Sequence, residues 1–519
     1  MNGRKSAIAA AGTFFSLFAF SQIYQLALFS KLTPWSEQSE EGPWLASSHS
    51  WVDRKVCSWF GICGLTHVNT SGWSTNGRHR EQQAVLNGNQ EEEVDLSAFW
   101  KSARVRPEDW SEEEQQEREI PQYVLDHAPL IHLYSGEQFW PGDIAEHLIH
   151  TTPHLNYTPL QATDDHPNLS HLNDLNKWGR FVYLQSDDNV EDRPDWLGGE
   201  VNIPDVPHDL DTDPGDDEDD RKHGHFTEDR KEKDRVLAMT PEGEKRLVTD
   251  DDSHSKRTRR RLNIFGKKVV GGKSDAPVPL VLVPKDHGVV DAFWFFFYSY
   301  NQGNAVFNVR FGNHVGDWEH TVIRFVDGVP KAVFYSEHSA GEAYTWEAVE
   351  KVGKRPIGYS ATGTHAMYAT AGLHPYVLPG GILHDVTDRG PLWDPLQNMY
   401  SFTYDHRQDR LLGSNITPQA PIGWFYYGGH WGDKFYPLSD ARQYRFLGQY
   451  HYVNGPLGPR FKNLGRHQIC QGDGECVLKR RTSTRGVGSM KRFPAVGEGE
   501  EMSDEDVHRF SGPEAEFVP

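Results

Sequence analysis

Cysteine is scarce in this chain: four in 519 residues. They fall as Cys57 and Cys63, and Cys470 and Cys476, each pair spaced C-x5-C. Zinc sites need the closer C-x2–4-C spacing, so structural zinc is disfavoured. Positive charge is also short, with 53 Lys and Arg against 74 Asp and Glu and a net charge of −21. That balance argues against general nucleic-acid binding, which requires a basic footprint. The two basic clusters, Lys256–Arg261 and Lys479–Arg481, are brief and sit in polar sequence, as solvated linkers or protease-sensitive sites do. Familiar catalytic signatures are missing too. No Gly-x-Ser-x-Gly elbow precedes a helix, no Gly-x4-Gly-Lys loop is present, and no repeat of fixed period is evident. Hydrophobic content is only 37% and unevenly spread, which suggests one well-packed region among disordered stretches.

What is present begins at the N-terminus. Arg4 and Lys5 precede an uncharged stretch, Ser6 to Ser30, rich in Ala, Phe, Leu and Ile. It exceeds the roughly 20 residues that span a bilayer as a helix. A signal peptide has a shorter apolar core of about 7–15 residues and a small-residue cleavage site, and no clear Ala-x-Ala follows here. The segment therefore predicts an uncleaved transmembrane anchor, with a cleaved signal as the alternative. Arg4 and Lys5 before it, and Glu37, Glu40 and Glu41 after it, place the N-terminus in the cytosol and the rest in a lumen or outside the cell. In such a compartment four cysteines read as two disulfides, and pairing within each short loop is the simplest of three connectivities. The sequons at Asn69, Asn156, Asn168 and Asn415 agree with a glycosylated surface.

Residues 31–120 are mixed and polar, and read as a mostly disordered stalk with one acidic helical stretch near Glu108 to Glu117. Residues 121–203 form the first part of a domain. Tyr123–Tyr134 alternates like a strand, Asp143 is a candidate helix N-cap, and Arg180–Gln185 is a short strand. Residues 204–275 carry an acidic run and then a basic one with few large apolar residues, the composition of a disordered insertion. The main strand signals fill 276–478: Val278–Pro284, Val289–Tyr300, Trp318–Glu337, Ile357–Ala361, Trp424–Tyr427 and Gln449–Tyr452. Residues 479–519 form a disordered tail. Many short strands with Gly and Pro turns predict a mostly β fold, an antiparallel β-sandwich of jelly-roll or lectin-like type.

The most informative stretch is His314-Val-Gly-Asp-Trp-Glu-His320. On a strand, Asp317 and Glu319 share a face about 7 Å apart, with Trp318 and His320 on the other. Asp327-Gly328 is a two-residue hairpin signal. Pairing outward from Val326 and Val329 sets Pro330 opposite Phe325 and Asp317 opposite His338, provided that no one-residue slip intervenes. Asp317, Glu319, His314 and His338 are thus candidate ligands of a divalent cation, calcium or magnesium. Glu319 is the base if the site is a metal-dependent hydrolase. His365, after a Gly turn, projects toward the same cleft. His430 and Asp433 flank a tight turn and read as structural; Trp294, Trp318 and Trp424 read as core.

Several motifs carry a resemblance. His127–Pro141, Asn313–Thr321, Tyr359–Ala366, His430–Asp433 and Gly455–Pro459, in that order, resemble the fungal vacuolar protein sorting-associated protein 62 family. The resemblance covers roughly 120–200 and 276–476. It implies a link to vacuolar trafficking and an N-terminal hydrophobic segment, and no established reaction. A shorter similarity joins His314, Asp317 and Glu319 to the Gly-His-Arg-His-Asp-Trp-Glu heptad of necrosis-inducing secreted toxins. There it implies a divalent-cation site for sphingolipid head groups. Gly316 stands where the toxins have a second His, and Asn301 falls near their upstream Asp.

The sequence thus predicts a single-pass protein of vacuolar sorting, its bulk in an endomembrane or vacuolar lumen or outside the cell. A cation-assisted site at the Asp317 hairpin, with Asn301 and His365 as further ligand contacts, would take a lipid or glycan. The rival expectations are a luminal or secreted metal-dependent hydrolase and a toxin-like lipid-head-group binder.

Overall fold

The computed structural model describes residues 44–68, 96–102, 107–160, 166–204, 272–306, 309–338, 340–375, 383–446, 448–472 and 476–482. The expected anchor at 6–30, Asn69, nearly all of the 204–275 insertion and the tail beyond 482 lie outside these residues. Among the described residues no helix is long and apolar enough to cross a membrane.

The fold is built around the aromatic run. The strand Val289–Asn301 is buried continuously from Asp291 onward. A strand covered on both faces has no polar side to alternate with, which is why Phe, Trp and Tyr follow one another without a break. It is the fourth strand of an eight-stranded sheet. Across that sheet run Arg410–Gly413, Met399–Asp405, Val278–Pro284, Val289–Asn301, His314–Val326, Val329–Glu337, Ala340–Thr345 and Leu478–Lys479. Two of its pairings, Met399–Asp405 with Val278–Pro284 and Ala340–Thr345 with Leu478–Lys479, are parallel. The purely antiparallel expectation therefore gives way to a mixed sheet.

One face carries Trp294, Phe296, Tyr298, Ile323, Phe325 and Tyr335 against Ile131, Met367 and Trp393. These last belong to a five-stranded sheet in which Leu130–His132 pairs in parallel with Arg355–Ser360. The two sheets form the β-sandwich. The opposite face carries Phe293, Phe295, Phe297, Trp318 and Val322 under the helices Ile144–Ile149 and Gly423–Tyr426 and the strand Val182–Ser186. The large sheet is thus a middle layer.

Two expected strands are corrected. Tyr123–Tyr134 is a helix, Gln122–Asp126, followed by the strand Leu130–His132, with Pro129 between them. Trp424, Phe425 and Tyr426 lie in the helix Gly423–Tyr426 with Tyr427 as its C-cap, because so short an aromatic run has no period that separates the two states. Other expectations hold. Asp143 caps its helix by accepting from the Ala145 amide at 2.8 Å, and Ser111 caps Glu112–Glu117 with a capping box. Cys57 pairs with Cys63 and Cys470 with Cys476.

Two described parts of 31–120 pack onto the domain, where a free stalk was expected. Trp44, Cys57 and Cys63 share a cluster with Leu438 and Tyr450. Trp100 stacks on Tyr400 at 4.1 Å and donates its indole N–H to Asp143 at 2.9 Å.

Candidate functional site

The Asp327-Gly328 turn forms as expected, with φ of 50° and 75°, the paired left-handed conformations of a tight hairpin. Val329 faces Val326 and Pro330 faces Phe325. The register then shifts: Ala332 faces Arg324 and Tyr335 faces Thr321, leaving Lys331 as a one-residue bulge. This is the slip that the pairing of Asp317 with His338 could not survive. Continued outward, the shifted register sets His338 against Trp318 instead.

Asp317 and Glu319 do share a face, opposite Tyr298 and Phe296 of the neighbouring strand. Both are buried beneath the five-stranded layer. From that layer His365 stacks on Tyr298, rings parallel within 2° and 3.7 Å apart. Its Nδ1 lies 2.9 Å from Asp317 Oδ2, and its Nε2 lies 3.0 Å from the carbonyl oxygen of Phe139. Both ring nitrogens therefore face acceptors. The imidazole is thereby fixed at both ends, by a side chain of the large sheet and by the main chain of the Phe139 loop.

Glu319 has a different environment. Burial pushes its carboxyl well above the usual range, and the neighbouring Asp317 charge adds to this; Lys462, the Ser336 hydroxyl and His338 oppose it. Ser336 donates to Glu319 and accepts from the His320 amide at 2.8 Å.

His338 follows the strand Val329–Glu337 with φ of 54° and turns toward Asp385, Nε2 to Oδ2 at 2.8 Å. Asp385 also accepts from Asn304, Thr364 and Tyr368 at 2.7–2.9 Å. Burial would raise its carboxyl, but the His338 charge and these donors outweigh that and hold it at about 2. Burial would lower His338, but Asp385 lifts it to about 9. The two acid–histidine pairs are linked through chain neighbours, since Thr364 reaches Asp385 and His365 reaches Asp317. His365, like His338, has a left-handed backbone, φ 55°. Such conformations cost on the order of 1–3 kcal/mol in residues with a Cβ and concentrate where the surroundings over-determine them.

The remaining candidates are placed as follows. His314 bonds Gly316 O through Nδ1 at 2.6 Å, and burial lowers its pKa. Asn301 pairs with His314 across the strands and donates to Gly312 O at 2.8 Å. Each proposed cation ligand is thus held by the protein itself. Among the described residues no group of three or more His, Cys, Asp or Glu side chains is arranged to hold a metal ion. His430 bonds Gly455 O at 2.6 Å, and Asp433 accepts from the Ser186 amide at 2.6 Å, ties that hold loops together. Trp294, Trp318 and Trp424 are fully buried. Asn168 and Asn415 are exposed and Asn156 half-exposed in a turn.

Sequence reasoning missed Asp385, Ser336, Thr364, Tyr368 and Phe139. Asp385 lies on a four-residue strand, His384–Thr387, 47 residues from His338, and its neighbours in sequence do not mark it.

All of the cluster except Phe139 lies within residues 291–393, the segment that matches the family model for vacuolar protein sorting-associated protein 62. The chain is also 32% identical over 389 residues to the Saccharomyces cerevisiae protein of that name, covering 68% of each chain. The chain belongs to the vacuolar protein sorting-associated protein 62 family. A second member of similar likeness is TDA6 of Saccharomyces cerevisiae, provisionally described as a vacuolar protein sorting-associated protein. It is 35% identical over 393 residues, which cover 68% of this chain and 69% of TDA6. No solved structure matches the chain. The family segment begins inside the aromatic strand and ends in the five-stranded sheet, so it contains strands of both layers that meet at the two acid–histidine pairs.

Proposed function

We propose that this protein acts in vacuolar protein sorting as an N-terminally anchored, luminal β-sandwich that holds a polar ligand at the Asp317–His365 face. Its relatives' names supply the sorting role. The observation that carries the site is the pair of left-handed histidines, each closing on a buried acid within the family segment. His338 retains 23% side-chain exposure and is the cluster's approach from solvent. A ligand hydroxyl or phosphate entering there would meet the His338 imidazolium first and the carboxyls behind it. Asp317 and Glu319 are the groups a calcium or magnesium ion would bridge to such a ligand. Binding it would require Asp317 to release His365 and Glu319 to lose a proton, so cation affinity would rise with pH.

Cells lacking the protein are expected to secrete a soluble vacuolar hydrolase, and the parent chain to restore its retention. A folded His365→Ala or Asp317→Ala chain should fail to restore it. Correct sorting without the protein removes the trafficking role; full restoration by both variants removes the site. Calorimetric titration of Ca²⁺, Mg²⁺ and Mn²⁺ into parent and Asp317→Ala protein tests the cation separately, and equal heats in both would exclude it.

A further inference from the structure

The helix Trp51–Phe60 faces the wrong way for an ordinary amphipathic helix. It starts at a Ser50 N-cap and stops at Gly61, left-handed at φ 63°. Its inner face is Asp53 and Cys57, one turn apart and buried against the domain. Its outer face carries the bulk. Trp51 is 62% exposed, Val52 55%, Trp59 64% and Phe60 56%. At 100° per residue Trp51, Lys55, Trp59 and Val52 fall within an arc of about 100°, and Phe60 flanks that stripe in the last turn. Lys55 lies over the Trp59 ring at 5.6 Å, so the stripe carries a cation among its aromatic rings. Leu65, just past the disulfide, is also exposed.

This helix cannot roll to hide that stripe. The Cys57–Cys63 bond ties its C-terminal end to Cys63, which exchanges two backbone hydrogen bonds with Arg445, at 2.8 and 3.0 Å. His67 adds a bond to Gln443 O at 2.8 Å. Trp44 anchors the N-terminal side among Leu438 and Tyr450. Four large apolar side chains on one rigid surface element need a partner, because single exposed residues are ordinary but a contiguous aromatic patch is not.

Sequence order indicates which partner. The uncharged segment 6–30 ends a short way upstream. Residues 31–43 extend at most about 45 Å even when fully stretched, so the helix stays within reach of any bilayer that the segment enters. Trp and Phe with a flanking Lys are the residues that favour the headgroup region, where an amphipathic ring has one side apolar and one wet. The stripe is not acidic, unlike the chain as a whole, so no charge repels it from a phospholipid surface.

We propose that the outward stripe of Trp51, Val52, Lys55, Trp59 and Phe60 lies in the headgroup layer of the bilayer that holds the N-terminal segment. This rests on the anchor reading above. It adds to the N-terminal segment a second, rigid contact that fixes one side of the sandwich against the membrane.

Every cysteine is in a disulfide, so an introduced thiol is a unique labelling position. Full-length Trp59→Cys and Val52→Cys proteins, each carrying a fluorescent label, are reconstituted into vesicles of phosphatidylcholine brominated on its acyl chains. Val352→Cys, exposed on another part of the domain, is the control. The expected result is severalfold stronger bromine quenching at 59 and 52 than at 352, with protection from aqueous iodide that appears only on reconstitution. Protein that floats with the vesicles while its 59 and 52 labels stay as open to iodide as the control overturns the contact and leaves the anchor standing. Protein that does not float overturns both. Protection already complete without vesicles means that a protein segment or a second copy covers the stripe, and overturns the proposal.

Discussion

Gly316→His should abolish folding, although it restores the residue that the toxin heptad carries at this position. Gly316 has φ of 70°, in the left-handed region that a residue with a Cβ enters at a cost of about 1–2 kcal/mol. The larger cost is steric. A Cβ there would lie deep inside the Trp431 carbonyl, and one on Gly432 would collide equally with the Val315 carbonyl. Two main-chain segments thus pass in direct contact, with no side chain at the crossing. Neither backbone can withdraw: Trp431 N is bonded to Pro456 O at 2.8 Å, and Val315 is paired with Tyr300. Gly316→Ala should cost more than about 4 kcal/mol, the range reserved for overpacking combined with backbone strain. Gly353 supplies the control. It has φ of 60° and open space around its Cβ position, so Gly353→Ala carries the conformational cost alone. Denaturant unfolding of the two alanine variants separates the effects, and equal losses would refute the crossing argument. The departure from the heptad is therefore imposed by packing.

Asp385→Ala should lower stability by about 3–5 kcal/mol at neutral pH, the cost of breaking a buried ion pair by removing one partner. The substitution strips the imidazolium of His338 of its counter-charge and leaves the donors of Asn304, Thr364 and Tyr368 without their acceptor. The exposed pair Arg389–Glu350, with side-chain exposures of 52% and 39%, is the contrast. Arg389→Ala should cost no more than about 1 kcal/mol. The buried pair also sets a pH window. His338 is raised to about 9, so its contribution is full below its unfolded value near 6.5 and is lost as pH climbs through 9. Asp385 is depressed to about 2, so its contribution is full above its unfolded value near 3.8 and is lost as pH falls through 2. Between those limits the pair is intact, and the alkaline loss should be about 3 kcal/mol. Parent and His338→Ala unfolding midpoints measured from pH 5 to 10 should converge at the alkaline end. Parallel curves would show that the pair is not what titrates.

Where the chain obeys local rules, its sequence was informative. Val278–Pro284 is a strand with the expected limits and the aromatic run one that extends a residue further, to Asn301; Asp327-Gly328 turns because both positions must be left-handed, and Asp143 caps a helix. What escaped depends on distance or on a single inserted residue. The Lys331 bulge moved His338 off the face of Asp317, and Pro330 beside it was the available hint, since proline within sheets gathers at bulges and edges. Asp385 and Phe139 reach the site from strands and loops far away in sequence. Trp100 sits in polar sequence that looks like linker, yet it fills a gap between Asp143 and Tyr400. Of the candidate site, Asp317, Glu319 and His365 were legible as neighbours; the second acid and its ties were not.

The parallel pairing of Leu130 with Ile357 has a cost in time. A ribosome adding about 5–20 residues per second needs on the order of 10–50 s to deliver the second of these strands after the first. Throughout that interval Leu130–His132 is an unpaired edge with apolar side chains on offer, and the long charged stretch at 204–275 must pass before relief arrives. Nascent chains of this protein should therefore depend on a holdase during synthesis more than their final stability suggests. Truncations that stop short of residue 357 should be degraded, not accumulated as a folded N-terminal half.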